Sequence, residues 1–134
     1  CEYCNLRFYA DWDEVRAEAL EVAGDSDVVV SASYTPDGAR ISDELLGLSR
    51  PLRVFYDLDT PITLSRLEDN DAVDYLRREQ ISEFDLYLSF TGGPLLRTLE
   101  TKHHARLARP LYGCVDPDIY HRVEVLPEFG CDLS

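Results

Sequence analysis

The chain has 134 residues, of which 45% are hydrophobic and 29% are charged, so it has the composition of one globular domain and not that of a disordered segment. Its 26 acidic and 13 basic residues give a formal net charge of −13, and such a surface repels nucleic-acid phosphates and anionic lipids. Composition therefore disfavours nucleic-acid binding and membrane-surface binding, and no apolar run has the length of a membrane span.

The sequence contains no methionine and begins with Cys1. We interpret it as a fragment or a processed piece of a longer protein. Removal of an initiator methionine is the alternative, which the bulky residue at the start disfavours. The irregular spacing of the four cysteines predicts free thiols in a reducing, cytoplasmic compartment; they are Cys1, Cys4, Cys114 and Cys131.

The first helix is predicted from a capping pattern and an apolar face. Asp11 is the expected N-cap, and Glu14, three residues on, can complete a capping box. Gly24 is expected to end this helix, whose buried face at helical spacing comprises Trp12, Val15, Ala19 and Val22. The run Asp27–Ser33 is short and β-branched, which predicts a strand buried on both faces.

A second helix, a second strand and a third helix follow the turn-rich loop Tyr34–Gly38. The second helix is expected to end before Pro51, and its apolar stripe consists of Ile41, Leu45 and Leu48. Leu52–Tyr56 is the second predicted strand. Thr60 is the expected N-cap of the third helix, with Pro61 as its first helical residue.

The same alternation continues towards the C-terminus. A helix is predicted over Val73–Gln80, a strand over Phe84–Phe90, a helix from Pro94 to about His103, and a strand over Leu107–Tyr112. Pro110 favours a sheet edge for the last strand. Alternating strands and helices predict an α/β, Rossmann-like, mostly parallel sheet with right-handed crossovers and flanking helices on both faces.

Ligands of open parallel sheets bind at the carboxyl ends of the strands. Three loops are expected at that rim: residues 33–38, 57–61 and 91–94. The candidate substrate-binding residues lie in or beside these loops, and they are Ser33, Tyr34, Tyr56, Thr60, Thr91, Gly92 and Gly93.

The loop Thr91–Pro94 has two interpretations. Its glycines and the following helix N-terminus suit a hydroxyl, carboxylate or phosphate. A tight strand-to-helix turn would also need glycine, and spacing alone does not separate the two. No Lys-Ser/Thr pair follows, so the loop is not a Walker A phosphate loop.

Asp57 and Asp59 follow the second strand and share one side of an extended chain. Such a pair could bind sugar hydroxyls, and one carboxylate could act as general base towards an attacking hydroxyl. A divalent cation on the pair is conceivable. The alternative is that Asp59 helps to cap the next helix while Asp57 is solvated.

Zinc binding has weak support in the sequence. Cys1 and Cys4 form a CxxC, which is half of a zinc site, but no second CxxC exists. His103 and His104 fit better as residues at a helix C-terminus, and Cys114 as a buried thiol. We therefore predict no metal site.

Three segments resemble the strand-loop motifs of CgeB-type glycosyltransferases, the family that includes spore-maturation proteins. They are Phe55–Pro61, Tyr87–Pro94 and Arg109–Pro117, and their order and approximate spacing also match. Val115–Tyr120 is similar to the G-V-D-x-x-x-F ending of the N-terminal domain in many retaining GT-B enzymes, with Tyr120 in the aromatic place. The resemblance spans about residues 27–121.

This resemblance implies a partial N-terminal domain of a GT-B fold. Residues 1–114 would form a Rossmann-like acceptor-side domain, incomplete at its N-terminus, and residues 115–134 a connector to an absent C-terminal donor domain. Asp57, Asp59 and the loop 91–93 would line the cleft, with the aspartates as candidate base or acceptor ligands. Chemistry in this family usually needs no metal, and the nucleotide-sugar donor would bind mainly to the second domain, leaving no cofactor on this chain.

The resulting functional prediction is the acceptor-side part of a glycosyltransferase, inactive by itself, that moves a sugar from a nucleotide-sugar to an acceptor. The acceptor would be a small molecule, a glycan or a protein. The alternative is a non-catalytic binding or regulatory module of flavodoxin-like shape. An incomplete sheet edge further predicts self-association.

Overall fold

A computed structural model describes residues 4–69, 71, 73–124 and 126–130. Four helices lie within these ranges: α1 Trp12–Asp25, α2 Gly38–Leu46, α3 Thr60–Glu68 and α4 Pro94–Thr101. The four strands are β1 Val28–Ala32, β2 Leu52–Asp57, β3 Leu86–Ser89 and β4 Ala108–Pro110. Two short 3-10 helices complete the described elements, Glu79–Ser82 and Pro127–Phe129. None of the helices in these ranges has the length and apolarity to cross a membrane.

The four strands form one parallel sheet in the order β1-β2-β3-β4. This confirms the predicted α/β, Rossmann-like class, and it places Pro110 on an edge strand as expected. Right-handed crossovers that always step in the same direction put every connecting helix on the same face of a sheet. The prediction of helices on both faces is therefore wrong for the connecting helices α2, α3 and α4.

Side-chain packing shows which sheet face the helices cover. The larger core cluster joins Phe55, Tyr87 and Ala108 of the strands to apolar residues of α2, α3 and α4, namely Leu46, Leu64, Leu67 and Leu99. A second cluster holds α1 against α2 and includes Trp12, Val15, Ala23, Ile41 and Leu45, with Val29 packed against it. Alternate strand residues point to opposite faces, so the neighbours of these strand residues face away from the helices.

The opposite face of the sheet is apolar, and at β1 and the start of β2 its side chains are exposed to solvent. Val28 is 49% exposed, Val30 54% and Leu52 45%. The prediction that β1 is buried on both faces is therefore wrong. β1 also lacks the charged and proline residues that protect sheet edges, whereas the other edge strand contains Arg109 and Pro110.

For α1, the predicted N-cap is correct and part of the predicted buried face is wrong. The backbone N–H of Asp13 donates to Asp11 Oδ1 at 2.9 Å, which confirms the predicted N-cap. Val22, however, is 63% exposed, and Ala23 is the buried residue of that turn. Trp12, Val15 and Ala23 are all buried, so the buried face passes through Ala23 and leaves the preceding residue, Val22, exposed.

The predicted helix over Val73–Gln80 is wrong. Val73 and Leu76 instead form an isolated bridge within a turn, and the 3-10 helix begins only at Glu79. Gln80 explains the irregular path, because its side chain accepts from the Arg77 N–H at 2.8 Å and donates to the Ala39 carbonyl at 2.7 Å. The local bond to Arg77 and the tertiary bond to Ala39 replace those that a continuous helix would have made.

An ion pair joins the amino ends of β2 and β3. Asp85 accepts from the backbone N–H of Arg53 at 3.0 Å and from its Nε and Nη2 at 2.8 Å each. These bonds lower the pKa of the Asp85 carboxyl to about 2 against the opposing effect of burial. The same guanidinium donates to the Leu46 carbonyl at 2.9 Å, so the pair also fixes the end of α2.

Candidate functional site

The carboxyl ends of β1 and β2 are tied together by Ser33. Its hydroxyl accepts from the Leu58 N–H at 2.9 Å, and its own N–H donates to the Tyr56 carbonyl at 3.0 Å. The Tyr56 hydroxyl in turn donates to the Leu111 carbonyl at 3.0 Å. Ser33 and Tyr56 thus hold the rim loops in place, and their side-chain hydroxyls already make hydrogen bonds within the protein.

Asp57 lies beneath this rim, with no exposed surface. Its carboxylate accepts from the Tyr87 hydroxyl at 2.6 Å, the Thr63 hydroxyl at 3.0 Å and the Asp59 N–H at 3.1 Å. Burial, and then the Asp57 charge, raise the pKa of Tyr87 well above its usual range, so the phenol keeps the proton that it donates. The interpretation of Asp57 as solvated is wrong, while its role as base or acceptor ligand stays a prediction.

The network continues from Asp57 to Tyr75. Thr63 has one hydroxyl proton, which it donates to Asp57. The Tyr75 hydroxyl, 3.0 Å from the Thr63 oxygen, must then be the donor in that bond. Burial raises the pKa of Tyr75, consistent with a phenol that keeps its proton. The buried carboxylate thereby fixes the ring of Tyr75 through Thr63.

Asp59 is the accessible member of the aspartate pair. It occupies the N-cap position of α3, yet its side chain makes no capping bond, and Thr60 is the first helical residue. The prediction of Thr60 as N-cap is wrong. The alternative that Asp59 helps to cap α3 is correct for its position and its backbone carbonyl, which accepts from the Ile62 N–H at 3.0 Å, but not for its carboxylate. That carboxylate instead accepts from the Tyr34 hydroxyl at 3.3 Å.

Tyr34 lies in the rim loop after β1 and is 54% exposed. Its backbone is left-handed, with φ 66°, a region that non-glycine residues rarely occupy. The ring lies against Tyr75 with centroids 5.2 Å apart. Burial and the neighbouring Asp59 raise the pKa of Tyr34. The strained backbone is thus held by one hydrogen bond and one aromatic contact.

Thr60 and Thr91 meet through Ser89 at the end of β3. Ser89 donates to the Thr91 carbonyl at 2.7 Å and accepts from the Thr91 N–H at 3.0 Å. Because its proton is already donated, the Thr60 hydroxyl must be the donor in their 2.7 Å bond. Thr60 is fully buried and links the second rim loop to the third.

The two glycines of the third loop differ in what the fold requires of them. Gly93 has φ 75° and precedes the first residue of α4, so a side chain there would be strained. A Cβ on Gly92 would meet the ring end of Tyr112, an exposed side chain that can move aside. The conformation of Gly93 supports the turn interpretation of the loop, while its role as a ligand site stays a prediction.

A pocket of about 300 Å³ opens beside Tyr34. It lies between the loop after β1, the last turn of α3 and the irregular segment before the first 3-10 helix, and its lining residues are Tyr34, Thr35, Pro36, Arg66, Val73, Asp74 and Tyr75. We call it the tyrosine pocket. Sequence reasoning missed Arg66, Asp74 and Tyr75, because a helix was predicted over the segment that contributes two of them.

The candidate zinc ligands that the structure describes do not form a cluster. Within the described ranges no group of three or more His, Cys, Asp or Glu side chains is placed to hold a metal ion. Cys4 and Cys114 are free and exposed, so the prediction of a buried Cys114 thiol is wrong. Cys1 and Cys131 lie outside the described residues. His103 is buried beyond the end of α4, and its pKa is lowered by that burial.

No protein-family model, curated protein or solved structure matches this chain. A functional proposal therefore depends on the geometry of the site and on the resemblance of the sequence motifs.

Proposed function

We propose that this chain is the acceptor-side part of a GT-B glycosyltransferase, which moves a sugar from a nucleotide-sugar donor to an acceptor. One observation supports this most directly. The carboxylate of Asp59 lies at the carboxyl edge of a parallel sheet, next to the tyrosine pocket, where ligands of such sheets bind. The donor would be held by a second domain, consistent with the family resemblance.

In this proposal Asp59 is the general base. It accepts the proton of the acceptor hydroxyl while that oxygen bonds to the sugar's anomeric carbon and the bond to the nucleoside diphosphate breaks. Asp57 acts as a positioning residue, since it accepts from the Asp59 N–H and the Thr63 hydroxyl. Tyr34 orients the base through its hydrogen bond to Asp59.

Replacing Asp59 with asparagine tests this assignment in a chain extended through the donor domain. We expect kcat/KM for sugar transfer to fall by about 10²–10⁴-fold, because an amide cannot accept the proton. The 134-residue chain alone is expected to transfer no sugar. Asp25→Asn, at the exposed end of α1, is the matched control and should leave kcat/KM unchanged.

Transfer by the short chain itself, or full activity of the Asp59→Asn enzyme, would contradict the proposal.

The buried position of Asp57 favours the second candidate, a non-catalytic binding module, since only one carboxylate of the pair remains accessible. Binding of donor and acceptor by the extended chain without any transfer would establish that alternative.

We further propose that the chain self-associates through the edge of the sheet formed by β1. Val28–Ala32 contains no charged or proline residue, and its outer edge has no strand partner in the described sheet. Replacing the exposed Val30 with lysine is expected to shift the chain towards monomer in sedimentation velocity, because a charge disfavours strand pairing. Val123→Lys, at a more exposed tail position, is the control. A wild-type chain that is monomeric at high concentration would refute this proposal.

A further inference from the structure

The tyrosine pocket combines flat apolar surface with one cationic and one anionic side chain. The rings of Tyr34 and Tyr75 meet at 51° and, with Pro36, form its apolar wall. Arg66 and Asp74 supply donors and acceptors on the remaining wall. This is the composition of a site for a ligand with an apolar ring face and polar groups around its edge.

Both aromatic rings are held before any ligand arrives. Tyr75 is only 4% exposed, and its hydroxyl is committed to Thr63. Tyr34 is held in its strained conformation by Asp59 and by contact with Tyr75. A preorganised wall lowers the entropy lost on binding, so a small ligand gains more from it.

Arg66 is the cationic group available to a ligand. Its nearest carboxylate partner is Asp71, with Nε and Oδ2 4.0 Å apart, at the limit of an ion pair. Such an exposed contact contributes little, so the guanidinium can exchange it for ligand hydroxyls. Asp74 balances its charge within the pocket, and the chain as a whole has a charge of −13. Anionic ligands are therefore opposed by the field of the protein.

The size of the pocket limits the ligand further. At about 300 Å³ it lies at the lower end of the range of small-molecule sites, roughly 300–1,000 Å³. One saccharide ring fits such a space, whereas a complete nucleotide-sugar would fill a site nearer the upper end.

We propose that the tyrosine pocket binds a neutral saccharide unit, with one face of its ring on Tyr34 and its hydroxyls on Arg66 and Asp74. This inference rests on the proposed function in one respect: it identifies the acceptor of the transfer as a sugar or the end of a glycan. The acceptor hydroxyl would then lie beside Asp59, which is hydrogen-bonded to the same tyrosine.

Binding by the isotopically labelled 134-residue chain tests the proposal, with backbone amide resonances as the readout. The probes are glucose, galactose, mannose and N-acetylglucosamine, with glucuronate and uridine diphosphate as anionic comparisons. We expect at least one neutral sugar to shift the resonances of Tyr34, Thr35 and Asp74 at millimolar concentration. Neither anion should bind more tightly than that sugar.

Two variants test the assigned contacts. Tyr34→Ala is expected to weaken sugar binding about tenfold through loss of the ring, and Arg66→Gln by about 10–100-fold through loss of charged hydrogen bonds. Tyr120→Ala, an exposed tyrosine of the tail, is the control and should bind as the parent does. Urea unfolding of each variant verifies that the fold is intact.

Each contrary result has a distinct meaning. Absence of shifts with all four sugars, shifts that map away from the pocket, or tighter binding of glucuronate or uridine diphosphate would overturn the saccharide assignment. If an extended enzyme transfers sugar only to non-saccharide acceptors, the pocket assignment fails while the proposed function stands. If the pocket binds sugar but the extended enzyme transfers none, the proposed function fails and the saccharide site stands.

Discussion

Replacement of Asp57 with alanine is expected to lower the free energy of unfolding by about 3–5 kcal/mol, because it leaves two buried hydroxyl donors without an acceptor and opens a cavity. The two donors are those of Tyr87 and Thr63, at 2.6 and 3.0 Å from the carboxylate. The loss should appear as a lower midpoint of urea unfolding at an unchanged slope.

Two further variants separate the hydrogen bonds from the loss of volume. Asp57→Asn keeps the side-chain size and one carbonyl acceptor, so a smaller loss of about 1–3 kcal/mol is expected. Asp59→Ala, at the half-buried neighbour, should cost less than about 1 kcal/mol, since its bond to Tyr34 is exposed. Equal stability of the Asp57→Ala and Asp59→Ala proteins would refute the assignment of Asp57 as the buried acceptor.

Replacement of Gly38 with alanine should destabilise the protein by about 1–3 kcal/mol through overpacking. A Cβ at this first residue of α2 would lie 2.9 Å from Tyr75 Cα and 3.2 Å from Thr35 Cβ. Backbone of the irregular segment would have to move, and Tyr75 with it. The variant should therefore also weaken whatever binds in the tyrosine pocket.

Gly24 offers the matched control for this prediction. It lies near the end of α1, where an added Cβ would meet only Leu48 Cδ2, at 4.0 Å. Gly24→Ala is therefore expected to stabilise the protein by about 0.5–1 kcal/mol through its effect on the unfolded chain. Urea unfolding of both variants gives the comparison. If the Gly38→Ala protein is as stable as the Gly24→Ala protein, the irregular segment that contains Tyr75 can move without loss of stability, and the prediction is wrong.

The strand and helix order was predictable because it depends on local pattern. Runs such as Val28–Ala32 are β-branched and follow turn residues, and Asp11 caps α1 with the bond that its position predicts. The candidate rim was predictable for the same reason, since loops after parallel strands meet at one edge of the sheet. The chemistry of these loops was less predictable. Asp57 and Asp59 are two residues apart, yet Asp57 is fully buried and Asp59 is accessible.

The sequence by itself determined the fold class, the positions of the four strands and the three loops of the rim, because hydrophobic periodicity and turn residues act over a few neighbours. Tertiary structure alone decided the rest. The sequential strand order placed the connecting helices α2, α3 and α4 on one sheet face. Contacts far apart in the chain, such as that of Gln80 with Ala39, replaced a predicted helix by a turn. That turn carries Asp74 and Tyr75 to Arg66 and so creates the tyrosine pocket, which no local pattern could reveal because its walls come from three separate segments.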